Sequence, residues 1–202
     1  MNRDKIELKP IVVFARWVSR IGHPLVFISL SVGIIIALRL ANRAGVTLSL
    51  TLLATVILSM ALLLFRGFQS GRWSDPDVSI RAERVRFYPR AISISAVAVI
   101  ALLVSRAPGF ALRGATVTLF LLIMAALINF RIKLSLHALF AFYSAVILFV
   151  VNPAVGALAF TLALLVFWSR LYLRRHDLLE TLVGTSLGLL GGLVTTAWLP
   201  LT

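Results

Sequence analysis

Residues 134–168 read LSLHALFAFYSAVILFVVNPAVGALAFTLALLVFW, 35 residues without one Asp, Glu, Lys or Arg. As a single helix this run is roughly 52 Å long, against a hydrocarbon core of about 30 Å. Asn152-Pro153 near its middle is a turn signal, because proline has no N–H and its ring crowds the preceding turn. The stretch therefore reads as two membrane-spanning helices joined by a tight hairpin, and that reading decides the fold class.

The flanking sequence repeats the theme. Apolar runs at 24–41, 46–65, 91–105, 110–130 and 178–199 are further spans, the 91–105 run being short unless its flanking Arg side chains snorkel. The expectation is an all-α, polytopic transmembrane helix bundle of six to seven spans. The longest polar stretch, 66–90, reads as a loop. Of the 202 residues 60% are hydrophobic and 13% charged, about half the charged share of a soluble domain. The net charge is nevertheless +13. A nucleic-acid binder of this charge needs far more polar surface, and a disordered basic tail far fewer apolar residues. With no Cys, a disulfide framework, a thiolate metal site and a Cys nucleophile are excluded.

Residues 1–23 lack the apolar core and small-residue cleavage site of a secretory signal. Ile11, Phe14, Trp17 and Ile21 alternate with Arg16 and Arg20, the pattern of an amphipathic helix lying in the interface. The chain thus divides into an interfacial segment, 1–23, and a membrane-embedded helical domain, 24–202.

Seven spans put the N-terminus and segments 66–90, 131–135 and 169–180 on one face. Sixteen of the twenty Lys and Arg lie there, so the positive-inside rule makes that face cytoplasmic. All seven acids and all three His lie there too. Orientation alone asks only for basic residues, so the gathering of acids and imidazoles points to chemistry.

Three segments on this face carry it. In Ser169-Arg170-Leu171-Tyr172-Leu173-Arg174-Arg175-His176-Asp177-Leu178-Leu179-Glu180, His176 and Glu180 stand one helical turn apart. A carboxylate there fixes the imidazole tautomer and raises the basicity of the other nitrogen. Arg170 is a bidentate anion ligand. Lys133-Leu134-Ser135-Leu136-His137 sets a cation, a hydroxyl and an imidazole at alternate positions. The 66–90 loop offers Arg81 and Arg84, with Asp75, Asp77 and Glu83 to hold them. An interfacial basic loop attracted to anionic lipid explains that last segment equally well.

These segments resemble the type 2 phosphatidic acid phosphatase and vanadium haloperoxidase superfamily, whose motifs run Lys-x6-Arg-Pro, Pro-Ser-Gly-His and Ser-Arg-x5-His-x3-Asp. Residues 169–180 match the third in spacing throughout, with Glu180 for Asp. Residues 134–137 match the second at Ser135 and His137, with Leu136 for Gly. The loop looks like a divergent first motif, Ser-Asp-x-Asp-x3-Arg-x2-Arg, associated with small bacterial and archaeal members. The resemblance covers roughly residues 66–190. It implies that His176 attacks phosphorus, Glu180 orients His176, and His137 protonates the leaving oxygen and then activates water. It further implies that Ser135, Arg170 and Arg84 or Arg81 hold the phosphoryl oxygens. Apart from the family pattern, Lys133 is expected to take the spatial place of the missing first-motif Lys. The implied protein is a lipid phosphatase of a prokaryotic inner or plasma membrane, with no metal, no cofactor and no nucleic-acid partner. Two rivals share the composition. An intramembrane prenyltransferase binds diphosphate through Asp-rich, Mg2+-dependent loops. A degenerate relative binds or moves lipid phosphates without hydrolysing them.

Overall fold

The protein is described by a computed structural model over residues 10–39 and 42–197. Among these residues the chain is all helical. Helix α1 (Pro10–Ile21) turns at Gly22-His23 into α2 (Pro24–Arg39), the two meeting at 55°. Helices α3 (Arg43–Leu52) and α4 (Ser59–Gln69) run on through a π-helical segment, Leu53–Leu58. There follow α5 (Arg81–Val104), α6 (Gly109–Ile128), α7 (Leu136–Val151), α8 (Pro153–Tyr172) and α9 (Leu178–Thr196). Five helical stretches are long and apolar enough to cross a membrane, six if α1 and α2 count as one broken span, which marks an integral membrane protein. The two runs that fall short alone are α2 and α7, with 16 residues each.

The Asn152-Pro153 break falls where the sequence puts it. Asn152 caps α8, its Oδ1 accepting from Ala154 N and Val155 N at 3.1 Å each. Pro153 takes the first helical position, where its missing N–H costs nothing.

The 66–90 stretch departs from expectation. It is a loop only between Ser70 and Ile80, and α5 begins at Arg81, so the short 91–105 run is the inner part of a 24-residue helix. Hydropathy hid this because five charges crowd the first turns. The helical period is nevertheless there: Arg84, Phe87, Tyr88 and Ala91 are buried on one face, while Arg86 and Arg90 face out. Of the N-terminal segment read as interfacial, residues 1–9 lie outside the described residues and the remainder forms α1. This helix packs on α8, Phe14 meeting Trp168 with ring centroids 6.0 Å apart.

Helix α7 is the axis of the bundle, buried along most of its length between α2, α8 and α9. It meets α9 backbone to backbone. A Cβ on Gly184 would stand 2.5 Å from the Ser135 carbonyl oxygen, and one on Gly188 2.2 Å from that of Leu139. Small residues at such a crossing let helices approach closely inside a bilayer. Gly188→Leu is therefore expected to cost about 3 kcal/mol by overpacking. Gly33→Leu, whose Cβ meets nothing within 4 Å, should leave thermal unfolding in detergent unchanged. Equal melting temperatures for the two variants would contradict this packing.

Candidate active site

Four connections converge at one end of α7: the α1–α2 corner, the 70–80 loop, the 129–135 segment and the α8–α9 turn. The loop is held from several sides. Trp73 is buried in the space left by Gly67 and donates to Leu63 O at 3.4 Å. Glu83 accepts from Ser74 N at 3.1 and 3.0 Å and from Ser74 Oγ at 2.5 Å. Asp75 folds into its own loop, accepting from Asp77 N at 2.9 Å and Ser79 N at 3.3 Å. Buried Val78 has φ 48°, a strained conformation for a β-branched residue. Such strain persists only where the surroundings over-determine it, and here it presents the neighbouring Asp77 to the bundle.

Asp77 is therefore not a support of the loop's Arg residues, as the sequence suggested. Its Oδ2 lies 3.0 Å from Arg170 Nη1 and 3.7 Å from His137 Nε2. Arg170 is 1% exposed, and the same Nη1 also donates to Ser19 Oγ on α1 at 2.7 Å. The other edge of the guanidinium, Nε and Nη2, is buried without a partner among the described residues. That edge is the fork that takes two oxygens of a phosphate.

His176 stands in the turn before α9, which Arg174 enters at φ 51°. Its Nδ1 lies 2.7 Å from Glu180 Oε2 and 3.1 Å from Lys133 O. Both neighbours are acceptors, so Nδ1 carries the proton and the lone pair of a neutral ring is on Nε2. Burial, then the Arg170, Arg84 and Lys133 charges, hold His176 well below the ordinary histidine value, so the ring is neutral at physiological pH. Nε2 is buried and unpartnered among the described residues. His137, 3% exposed, also has an unpartnered Nε2, since 3.7 Å to Asp77 is beyond hydrogen-bond reach.

The structure thus brings His176, Glu180, His137, Arg170 and Asp77 together. Lys133 sits at the rim, donating to Arg175 O at 3.0 Å and standing 3.8 Å from Glu180 Oε2. Ser135 is wholly buried beside His137, and its Oγ caps α7 by accepting from Ala138 N at 3.3 Å. Arg84 is a buried brace, donating Nε to Val78 O at 2.9 Å and Nη1 to Leu134 O at 2.7 Å. Arg81 stands apart, tying α5 to the end of α6 through Asn129 O at 2.7 Å and Phe130 O. Two residues escaped the sequence reading: Ser19, on Arg170, and His23, whose ring lies edge-on to that of His137 at 5.5 Å between centroids. The one signal for His23 was its company, because all three His of the chain share this end.

Residues 129–201 match the family model of the PAP2 superfamily. That is the superfamily the 169–180 pattern resembles, and its members are generally phosphatases. The match takes in Ser135, His137, Arg170, His176 and Glu180, and begins beyond Asp77, Arg81 and Arg84. No curated protein and no solved structure matches the chain.

Proposed function

We propose that this protein is an integral membrane phosphatase that hydrolyses a lipid phosphate monoester or diphosphate through a phosphohistidine. Polyprenyl phosphates and diphosphates, phosphatidate and phosphatidylglycerophosphate are the substrate class. The observation that carries the reading is the set of buried, unpartnered nitrogens on His176, His137 and Arg170. Buried polar groups are ordinarily paired, and a phosphoryl group matches this set as no neutral ligand does.

The chemistry runs in two displacements. His176 Nε2 bonds to phosphorus as the bond to the lipid oxygen breaks, and His137 gives that oxygen a proton. Water then bonds to phosphorus as the N–P bond breaks, its proton passing to His137. Arg170 balances the equatorial oxygens, and Asp77 holds Arg170 in place. Charge stabilisation of this kind is usually the largest catalytic contribution. Glu180 keeps His176 in the tautomer that attacks.

The bundle also has room for a tail. A cavity of about 490 Å³ lies along the far half of α7, lined by Ile28, Val32, Leu48, Val56, Phe110 and Ile147 among others. On this reading α1, with Phe14, Trp17 and Ile21 exposed beside Arg16 and Arg20, lies at the lipid–water interface on the cytoplasmic side of a prokaryotic inner membrane. The prenyltransferase reading has less support. Among the described residues no three His, Asp or Glu converge as metal ligands, and Asp75 and Asp77 turn to different partners.

The test is release of inorganic phosphate by the purified chain in detergent, from each substrate of the class, with EDTA present. Phosphate release that survives EDTA is the expected result. Activity abolished by EDTA would favour a metal-dependent enzyme, and no release from any of them would favour a binding or transport role.

A further inference from the structure

Helix α1 lies outside the matched residues 129–201, yet it reaches into the site. Ala15 and Ser19 of α1, with Gly22 just after it, are buried at helical spacing, while Phe14, Trp17 and Ile21 are exposed. The buried face is made of small residues, and α8 lies close against it. A Cβ on Gly22 would stand 2.2 Å from Val166 Cγ2, and Val166 is one turn before Arg170 on α8. At that approach a side chain as short as serine spans the gap. Ser19 Oγ accepts from Arg170 Nη1 at 2.7 Å.

What that bond does follows from counting donors. A guanidinium has five N–H groups, two on each Nη and one on Nε. Nη1 has two acceptors for its two hydrogens, Ser19 Oγ and Asp77 Oδ2, the latter at 3.0 Å. Nε and Nη2 are buried without a partner among the described residues. The hydrogen bond to Asp77 runs through one carboxylate oxygen and one nitrogen, and a single bond of that kind lets the guanidinium turn about it. A second acceptor on the same nitrogen fixes the plane, and with it the direction of the Nε–Nη2 edge. A hydroxyl does this without adding a negative charge that would repel a phosphoryl group.

We propose that Ser19 is a positioning residue: together with Asp77 it fixes the plane of Arg170, so that the Nε–Nη2 edge is aimed at the phosphoryl oxygens. Helix α1 is then a part of the active site as well as an interfacial helix. The inference rests on the phosphatase reading in taking the ligand of that edge to be a phosphoryl group.

The test compares the full chain in detergent as wild type, Ser19→Ala and Ser19→Thr. Alanine removes the acceptor and keeps the face of α1 small, whereas threonine keeps the hydroxyl. Affinity for inorganic phosphate is read from the rise of the melting temperature along a phosphate titration. It should fall about tenfold in Ser19→Ala, the scale of one hydrogen bond to a charged group, and stay within a few-fold of wild type in Ser19→Thr. With a lipid phosphate monoester, kcat/KM should fall by a similar factor in Ser19→Ala at an unchanged pH profile, because no titrating group is removed. A Ser19→Ala protein that melts lower yet binds phosphate as wild type does would make Ser19 a packing residue and overturn the proposal. Equal losses of phosphate affinity in the two variants would do the same. Wild type that binds phosphate but releases none from any lipid phosphate would overturn the function instead, and would leave the positioning of Arg170 standing. Wild type with no affinity for phosphate would overturn both.

Discussion

His176→Ala is expected to lower phosphate release by on the order of 10⁴-fold or more, the scale on which loss of a covalent nucleophile is felt. The expectation rests on one nitrogen. Nδ1 is fixed by Glu180 and Lys133 O, so the unpartnered Nε2 is the only lone pair the ring has to offer. Alanine removes that pair and leaves Arg170 and its phosphate fork intact. Binding of inorganic phosphate should therefore survive within a few-fold while turnover collapses. Radiolabelled substrate should leave acid-labile, base-stable label on the wild-type protein and none on the variant. Undiminished phosphate release by His176→Ala would end the phosphohistidine mechanism.

Asp77→Ala should carry the largest stability effect of any single change at the site. Arg170 is 1% exposed and has Asp77 as its one carboxylate among the described residues. Removing one partner of a buried ion pair leaves the other charge uncompensated, at a cost of about 3–5 kcal/mol. The melting temperature in detergent should fall accordingly, and Asp77→Asn should recover part of the loss through a hydrogen bond. The variant also makes a specific prediction about anions. With the carboxylate gone, millimolar phosphate should stabilise Asp77→Ala more than wild type, because a ligand that binds only the folded state raises its stability by mass action. An unchanged melting temperature would show that Asp77 does not compensate Arg170.

What was legible in the sequence was what is decided locally. The Asn152-Pro153 break follows from a missing N–H and a side-chain cap within three residues. The pairing of His176 with Glu180 follows from one helical turn. The same end of the bundle for all three motifs follows from alternating spans. What stayed hidden depends on contacts across the chain. Arg81 and Arg84 look alike in sequence and share a side of α5, but Arg84, a turn inside the helix, reaches inward to Leu134 O, while Arg81, the exposed first residue, reaches the end of α6. Asp77 finds Arg170 93 residues away, and Ser19 finds it 151 residues away. Neither spacing has a local signature. The start of α5 was hidden for another reason: averaged hydropathy sees the charges of its first turns and not the buried face beneath them.

Helix α7, with its 16 residues, is about 24 Å long, some 6 Å less than the hydrocarbon core of a typical bilayer. The helices packed on it, α2, α8 and α9, run 16, 20 and 19 residues. His137 is the second residue of α7 and is almost wholly buried. On the proposed function, a phosphate that reaches His137 and His176 must shed water, because both rings are almost wholly buried. A phosphate bearing a second alcohol would have to bring that group into the same enclosed space, so the proposed function carries the expectation that monoesters and diphosphates are taken in preference to diesters.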